Sequence, residues 1–394
     1  MEIAELRRRR VGVLMSGGLS CTAVGVWLAE QGVDVVPFVA DLGQSVPFPP
    51  LELAEVLGRC GPVARVVDLR AETAALAMDL ARWQATHDGG YWNTTSGSRH
   101  TLVTGLAQPL RDAGCTVLVH GCVGGGNDEG RFARYAAVHA PDLTVFSPWA
   151  NAWLRERFPG RRGMADYLLE RGLPAVFGDY VDYSVDGTLA GFSHDGGDLE
   201  RLDTPVSTVT PLMTTWPSAA RERGESVRIR FAAGRPVAVD DVAPGAVAIL
   251  TRLNELGGRN GLALRSLVEN RVNGTKCRGV YEAPGLEILG AALAALYQVV
   301  LDRPAIDLLH SLARRLGRAV YEGRLDDPAG RAARTAADLL AEAATGEVEV
   351  ELYRGNITVA RVGPSVTPPG VRRQTRFADG GNHWTTERQP VAAG

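Results

Sequence analysis

Val11-Gly12-Val13-Leu14-Met15-Ser16-Gly17-Gly18-Leu19-Ser20-Cys21-Thr22 is the stretch on which the fold turns. An apolar run, Val11 to Met15, ends in glycines and hydroxyls, and helical text through Val26, Trp27 and Leu28 follows directly. Glycines let the backbone turn tightly and bring its N–H groups near an anion, hydroxyls add donors, and the helix start adds its positive end. By position this is a nucleotide phosphate loop. It is not the Walker pattern, because no Gly-Lys-Ser/Thr stands at the required spacing.

Outward from that turn, Val33 to Ala40, Ala64 to Leu69, Thr116 to His120 and Leu143 to Phe146 repeat the short apolar run, with helical patterns between most of them. Strands alternating with helices imply an α/β fold, a doubly wound parallel sheet with ligands at the carboxyl ends of its strands. The pattern changes around Gly172 to Pro174, and Asp179 to Thr215 shows little periodicity. The expected organisation is therefore a nucleotide-binding domain over 1–174, a second α+β domain over 175–366 and a tail over 367–394. In the second domain the text predicts a strand pair near Val227 to Val239, a helix near Val247 to Leu256 and a long helical region from Ile288 to Ala344. A hairpin, Glu347 to Tyr353 with Ile357 to Val362, closes it.

At 394 residues the chain exceeds what one core usually organises, and 45% hydrophobic with 22% charged residues is an ordinary globular balance. A net charge of -3 argues against a nucleic-acid partner, and no apolar run is long enough for a membrane helix or signal segment, so a cytoplasmic location is expected. Five scattered cysteines, Cys21, Cys60, Cys115, Cys122 and Cys277, suit neither a zinc site nor a disulfide scaffold and are read as reduced thiols. Lys276 is the only lysine.

Leu14 to Thr22 together with Val39-Ala40-Asp41-Leu42-Gly43-Gln44 resembles the PP-loop ATP pyrophosphatases, specifically the argininosuccinate synthases. Four further segments carry the same resemblance in order. They are Tyr91-Trp92-Asn93-Thr94-Thr95-Ser96 with Arg99; His120 to Asp128 continuing to Arg131-Phe132; Ser184-Val185-Asp186 with Ser193; and Val268-Glu269-Asn270-Arg271 through Tyr281-Glu282 and Pro284.

The resemblance implies ATP with Mg2+, citrulline and aspartate as small-molecule substrates, a citrullyl adenylate, and attack by the amine. It implies an ATP site of Leu14, Met15, Ser16, Gly17, Gly18, Leu19, Ser20, Cys21, Thr22, Ala40 and Gly121. For citrulline it implies Tyr91, Ser96, Asn127, Arg131, Ser184, Ser193, Glu269 and Tyr281, with Arg131 suited to a carboxylate and Glu269 to an ammonium group. Asp128 and Arg131 are the catalytic candidates, Val123, Asn127 and Asp128 the amine-side positions, and no residue is assigned to a metal. A homodimer or homotetramer is expected.

Some positions depart from the family pattern. Ser20-Cys21-Thr22 replaces Asp-Thr-Ser; serine is expected to cap the helix and donate to phosphate. Val123 and Gly125 stand for threonine and lysine, Asp195 for glutamate, and Ala133 for another glutamate. The ureido side keeps its residues while the amine side is altered, so an amine other than aspartate is the alternative, with aspartate the default. A non-catalytic ATP or citrulline sensor is a second alternative, and tRNA thiolation lacks a basic surface or a catalytic cysteine pair. Cys122 reads as a small packed residue rather than a nucleophile.

Overall fold

The structure, a computed structural model, describes residues 1–44, 49–58, 63–123, 126–173, 182–240, 242 and 245–364. Cys60, Gly125, the 174/175 junction and the 367–394 tail lie outside the described residues.

The N-terminal part holds strands β1 (Arg10–Leu14), β2 (Asp34–Asp41), β3 (Arg65–Asp68), β4 (Val117–Val119) and β5 (Thr144–Phe146). They pair in parallel in the order β3-β2-β1-β4-β5. Helices α1 (Ile3–Leu6), α2 (Leu19–Glu30), α3 (Pro50–Gly58), α4 (Arg70–Arg82), α5 (Thr94–Asp112), α6 (Asn127–His139), α7 (Ala152–Arg157) and α8 (Arg161–Leu169) flank the sheet. The strands are apolar nearly throughout because helices cover both faces. Val11, Val13, Val35, Val117 and Val119 pack on one face with Val24 and Leu28 of α2 and Met164 and Leu168 of α8. Val36, Phe38 and Leu118 pack on the other with Leu106 and Leu110 of α5 and Phe132 of α6. At Gly12 a β-carbon would lie 2.1 Å from Leu110 Cδ2, so the absent side chain lets α5 close onto β1.

The C-terminal part holds β6 (Ser184–Thr188), β7 (Gly191–Asp195), β8 (Glu225–Ala232), β9 (Arg235–Val239), β10 (Leu264–Asn270), β11 (Lys276–Glu282), β12 (Gly346–Tyr353) and β13 (Asn356–Pro364). Helices α9 (Ala246–Arg259), α10 (Pro284–Val300), α11 (Arg303–Glu322) and α12 (Pro328–Ala341) complete it. Two antiparallel sheets form, β10-β11-β7-β6 and β13-β12-β8-β9. Strand β8 buries alternate residues, Val227, Ile229 and Phe231, against α9 and α10, as a sheet with one wet face must.

Two expectations change. The stretch read as lacking periodicity contains the β6–β7 hairpin, whose tip is tied to the first sheet by Leu189 N–H donating to the Leu42 carbonyl (2.7 Å). The long helical region is three helices. Asp302 accepts from Ala305 N–H (3.0 Å) to start α11 after the first break, and Gly323, at φ +73°, ends α11 in a left-handed cap that glycine adopts without strain. Moreover, α11 and α12 do not stay with the second part. Leu312, Leu316, Val320, Ala333 and Ala337 enter the core beneath the parallel sheet.

Candidate active site

A cavity of about 710 Å³ opens at the carboxyl ends of β1 and β4, where the strand order reverses. Crevices form there because the loops leaving the two strands depart in opposite directions. On one side is the loop Ser16–Leu19. Gly17 has φ +79°, and Gly18 takes the cap position of α2 with no side chain capping it. The first N–H groups of the helix are thus left without a side-chain cap at the cavity wall. The loop from β4 presses against this turn: a β-carbon on Gly121 would lie 2.3 Å from Cys21 Cα.

The cradle corrects two expectations. Ser20 does not cap α2; it lies within the helix and lines the cavity. Thr22 is fully buried, and its hydroxyl donates to the Gly18 carbonyl (2.9 Å), so it braces the turn from behind. The Cys21 thiol bonds within the loop as well, to the Gly18 carbonyl (3.1 Å) and the Ser16 hydroxyl (3.2 Å). Leu14, Met15, Ser16 and Ala40 surround a smaller adjoining pocket of about 60 Å³ with Phe38, Leu42 and Gln44. Gln44 closes that turn, donating to the Ala40 carbonyl (2.8 Å) and accepting from Leu42 N–H (2.7 Å).

The opposite wall is one face of the β10-β11-β7-β6 sheet. Register brings Tyr281, Ser193 and Asp186 into one row and Gly279, Asp195 and Ser184 into the next, with Glu269 opposite Cys277. A two-residue period sends all of these toward the cavity, which Ser184, Asp186, Ser193, Asp195, Glu269 and Tyr281 line. Tyr91 and Tyr281 pack with ring centroids 4.2 Å apart. The Tyr91 hydroxyl accepts from Thr95 N–H (3.0 Å) and Ser96 N–H (3.4 Å) at the start of α5, and Ser193 shares a 2.6 Å hydrogen bond with Thr95.

Between the walls lies a charged knot. Asp128 accepts from Arg99 Nη2 (2.8 Å) and Arg131 Nη1 (2.7 Å), and Arg99 also reaches Asp186 (3.1 Å). Burial works against the Asp128 carboxylate, but the two guanidiniums win and hold it well below the usual carboxylate range. Such a group is a poor proton acceptor near neutral pH; it anchors two arginines. Arg131 Nε donates to the Tyr321 carbonyl (2.6 Å), so Nη2 has no hydrogen-bond partner among the described residues. Asp195 is the converse: burial, then repulsion from Asp186, Glu269 and Asp128, raises it to about 7.

Tyr321 carries no signal in the sequence, where it reads as one more apolar position on α11. Its hydroxyl accepts from Asn127 Nδ2 (2.7 Å) and donates to Glu269 Oε1 (2.8 Å), joining two expected site residues across 194 and 52 positions. Arg155, Arg161 and Arg271 also line the cavity. Lys276 lies apart, donating to Asn270 Oδ1 (2.7 Å), so the cationic groups on the cavity wall are arginines. Val123, at an expected amine-side position, is 58% exposed at the cavity edge. Cys122 is half-buried in the cavity wall, and desolvation, then Asp128, raises its thiol well above the usual range, which disfavours the nucleophilic thiolate.

Among the described residues, six polar atoms of cavity-lining residues are buried without a hydrogen-bond partner: Ser96 Oγ, Arg99 Nε, both ring nitrogens of His120, Trp149 Nε1 and Glu269 Oε2. Burial raises the Glu269 carboxyl, opposed by the Tyr321 hydroxyl, by Arg131 and by the neighbouring Tyr281 hydroxyl.

Comparison with known protein families gives two matches in chain order. A family described as "Arginosuccinate synthase N-terminal HUP domain" matches residues 10–174, and one described as "Arginosuccinate synthase C-terminal domain" matches residues 183–365.

Proposed function

The chain belongs to the argininosuccinate synthase family, and from that premise we propose that it is an ATP-dependent ligase acting on citrulline or a close ureido analogue. The ureido oxygen attacks the α-phosphorus of ATP and expels pyrophosphate. An amine, aspartate by default, then attacks the activated ureido carbon, gives up a proton and expels AMP.

The observation that carries this reading is that two of the orphaned atoms, Ser96 Oγ and Glu269 Oε2, belong to positions expected to contact citrulline. A buried polar atom without a partner costs about 1–3 kcal/mol, and a bound polar substrate would remove that cost at both. Arg131 Nη2 is free to take the substrate carboxylate, with Asp128 fixing the guanidinium, while Glu269 balances the ammonium group. Tyr91, Asn127, Ser184, Ser193 and Tyr281 orient the chain between them. ATP fits the other end: phosphates against the uncapped start of α2, and the base in the apolar recess of Leu14, Phe38 and Ala40. Magnesium would neutralise charge on the departing pyrophosphate. The phosphate loop offers no carboxylate, so on that side phosphate oxygens and water would hold the ion.

A second reading concerns the amine. Val123 is solvent-facing and offers no hydrogen bond beside Asn127 and Asp128, which favours an amine other than aspartate. The test is pyrophosphate release from MgATP and citrulline, with and without aspartate, while AMP and any ligated product are followed by mass. Argininosuccinate formation is the expected result with aspartate. Citrulline-dependent pyrophosphate without a ligated product moves the amine elsewhere. Binding without turnover would sink the ligase and leave a sensor.

A further inference from the structure

Away from the cavity, three side chains from three elements converge. His100 lies in α5, His139 ends α6, and Asp326 sits between α11 and α12. His100 Nε2 is 3.0 Å and His139 Nε2 2.7 Å from the same atom, Asp326 Oδ2. All three potential ligand atoms lie within 4.8 Å of one another. The imidazoles meet edge to face, with centroids 5.5 Å apart.

We propose that His100, His139 and Asp326 form a binding site for one divalent d-block cation, zinc foremost, with water completing the coordination. Two imidazoles and a carboxylate are a donor set that zinc accepts, whereas magnesium and calcium require oxygen. In a tetrahedral site with bonds of about 2.0–2.1 Å, ligand atoms stand about 3.3 Å apart. The two close pairs need only open slightly to admit the ion.

The surroundings suit the role. Asp326 Oδ1 faces Arg334 at 3.5 Å, which orients the carboxylate and turns Oδ2 to the imidazoles. That guanidinium also repels a cation, so the site favours an ion bound strongly by imidazole over one held by charge alone. His139 is partly exposed, giving the ion a route from solvent, while Tyr135 packs its ring edge to face with His100 at 5.0 Å. The ion would tie α5 and α6 to the α11–α12 connection, fastening chain segments nearly two hundred residues apart. This inference stands apart from the ligase reading.

The test uses the full chain, stripped with a chelator and titrated with Zn2+ by calorimetry and with Co2+ by visible absorption. One ion per chain is expected, with a rise in Tm as the ion binds the folded state. His100→Ala and His139→Ala should each weaken Zn2+ binding by at least about 100-fold, and Asp326→Asn should alter the Co2+ spectrum. Melting without metal establishes that each variant is folded; one that is not is replaced by the corresponding His→Gln variant. Absence of binding by the unaltered chain, or binding unchanged in His139→Ala, would overturn the proposal and leave two imidazoles hydrogen-bonded to one carboxylate.

Discussion

Asp128 and Asp195 line one cavity but hold protons very differently, because charge partners decide the matter once both are buried. Two arginines keep Asp128 ionised, whereas Asp195 is pressed by burial and three other acids to about 7. The sign of its effect on stability follows. Unfolded, Asp195 loses its proton near its ordinary value of 3.8; folded, it keeps it to about 7. The native state is therefore increasingly disfavoured as pH rises between those values, and the penalty is complete above the upper one. Asp195→Asn should raise Tm at pH 8 by about 2 °C or more, with a smaller rise at pH 5. Scanning calorimetry at the two pH values checks this, and equal shifts would show that the acid is not held protonated. Neither environment is visible in the text, where both positions are simply aspartates within a motif.

The elements meet at their ends, and that is where single atoms matter most. The loop from β4 can lie on the start of α2 only because Gly121 has no β-carbon to strike Cys21 Cα. Gly121→Ala should push the two loops apart, destabilise the chain by about 1–3 kcal/mol and weaken ATP binding. Denaturant melts and calorimetric ATP titration provide the measure; unaltered ATP affinity would mean that the loop contact does not shape the cradle. The central strands β1, β2 and β4 were legible because burial on both faces makes them continuous apolar runs, whereas β3 and β5 at the edges are short and largely uncovered. The β6–β7 hairpin was not, since Ser184-Val185-Asp186-Gly187-Thr188 faces a polar cavity and lacks that mark. Candidate site residues could be named there from motif resemblance, but the sheet that carries them could not.

Over the whole molecule, α11 and α12 unite what the text divides. Their Leu312, Leu316, Val320 and Ala337 fill the core under the parallel sheet, and Asp338 accepts from Arg82 Nη1 (2.5 Å) and Trp83 Nε1 (2.7 Å) of the first part. Unfolding should therefore appear in calorimetry as one transition. Asp338→Ala leaves a buried guanidinium without its carboxylate, so it should lower that transition by several degrees without splitting it. Two resolved transitions in the unaltered chain would refute the shared core. The amino-acid sequence by itself determined the parallel sheet, the glycine turn between β1 and α2 and most residues of the cavity wall, because apolar periodicity, glycine chemistry and ordered motifs act over short stretches of chain. Only the tertiary structure decided that Tyr321 bridges Asn127 and Glu269, that Arg99 and Arg131 share Asp128, and that His100, His139 and Asp326 meet. Those contacts join residues far apart in the chain, and their energies depend on burial and charge partners that exist only once the helices have packed.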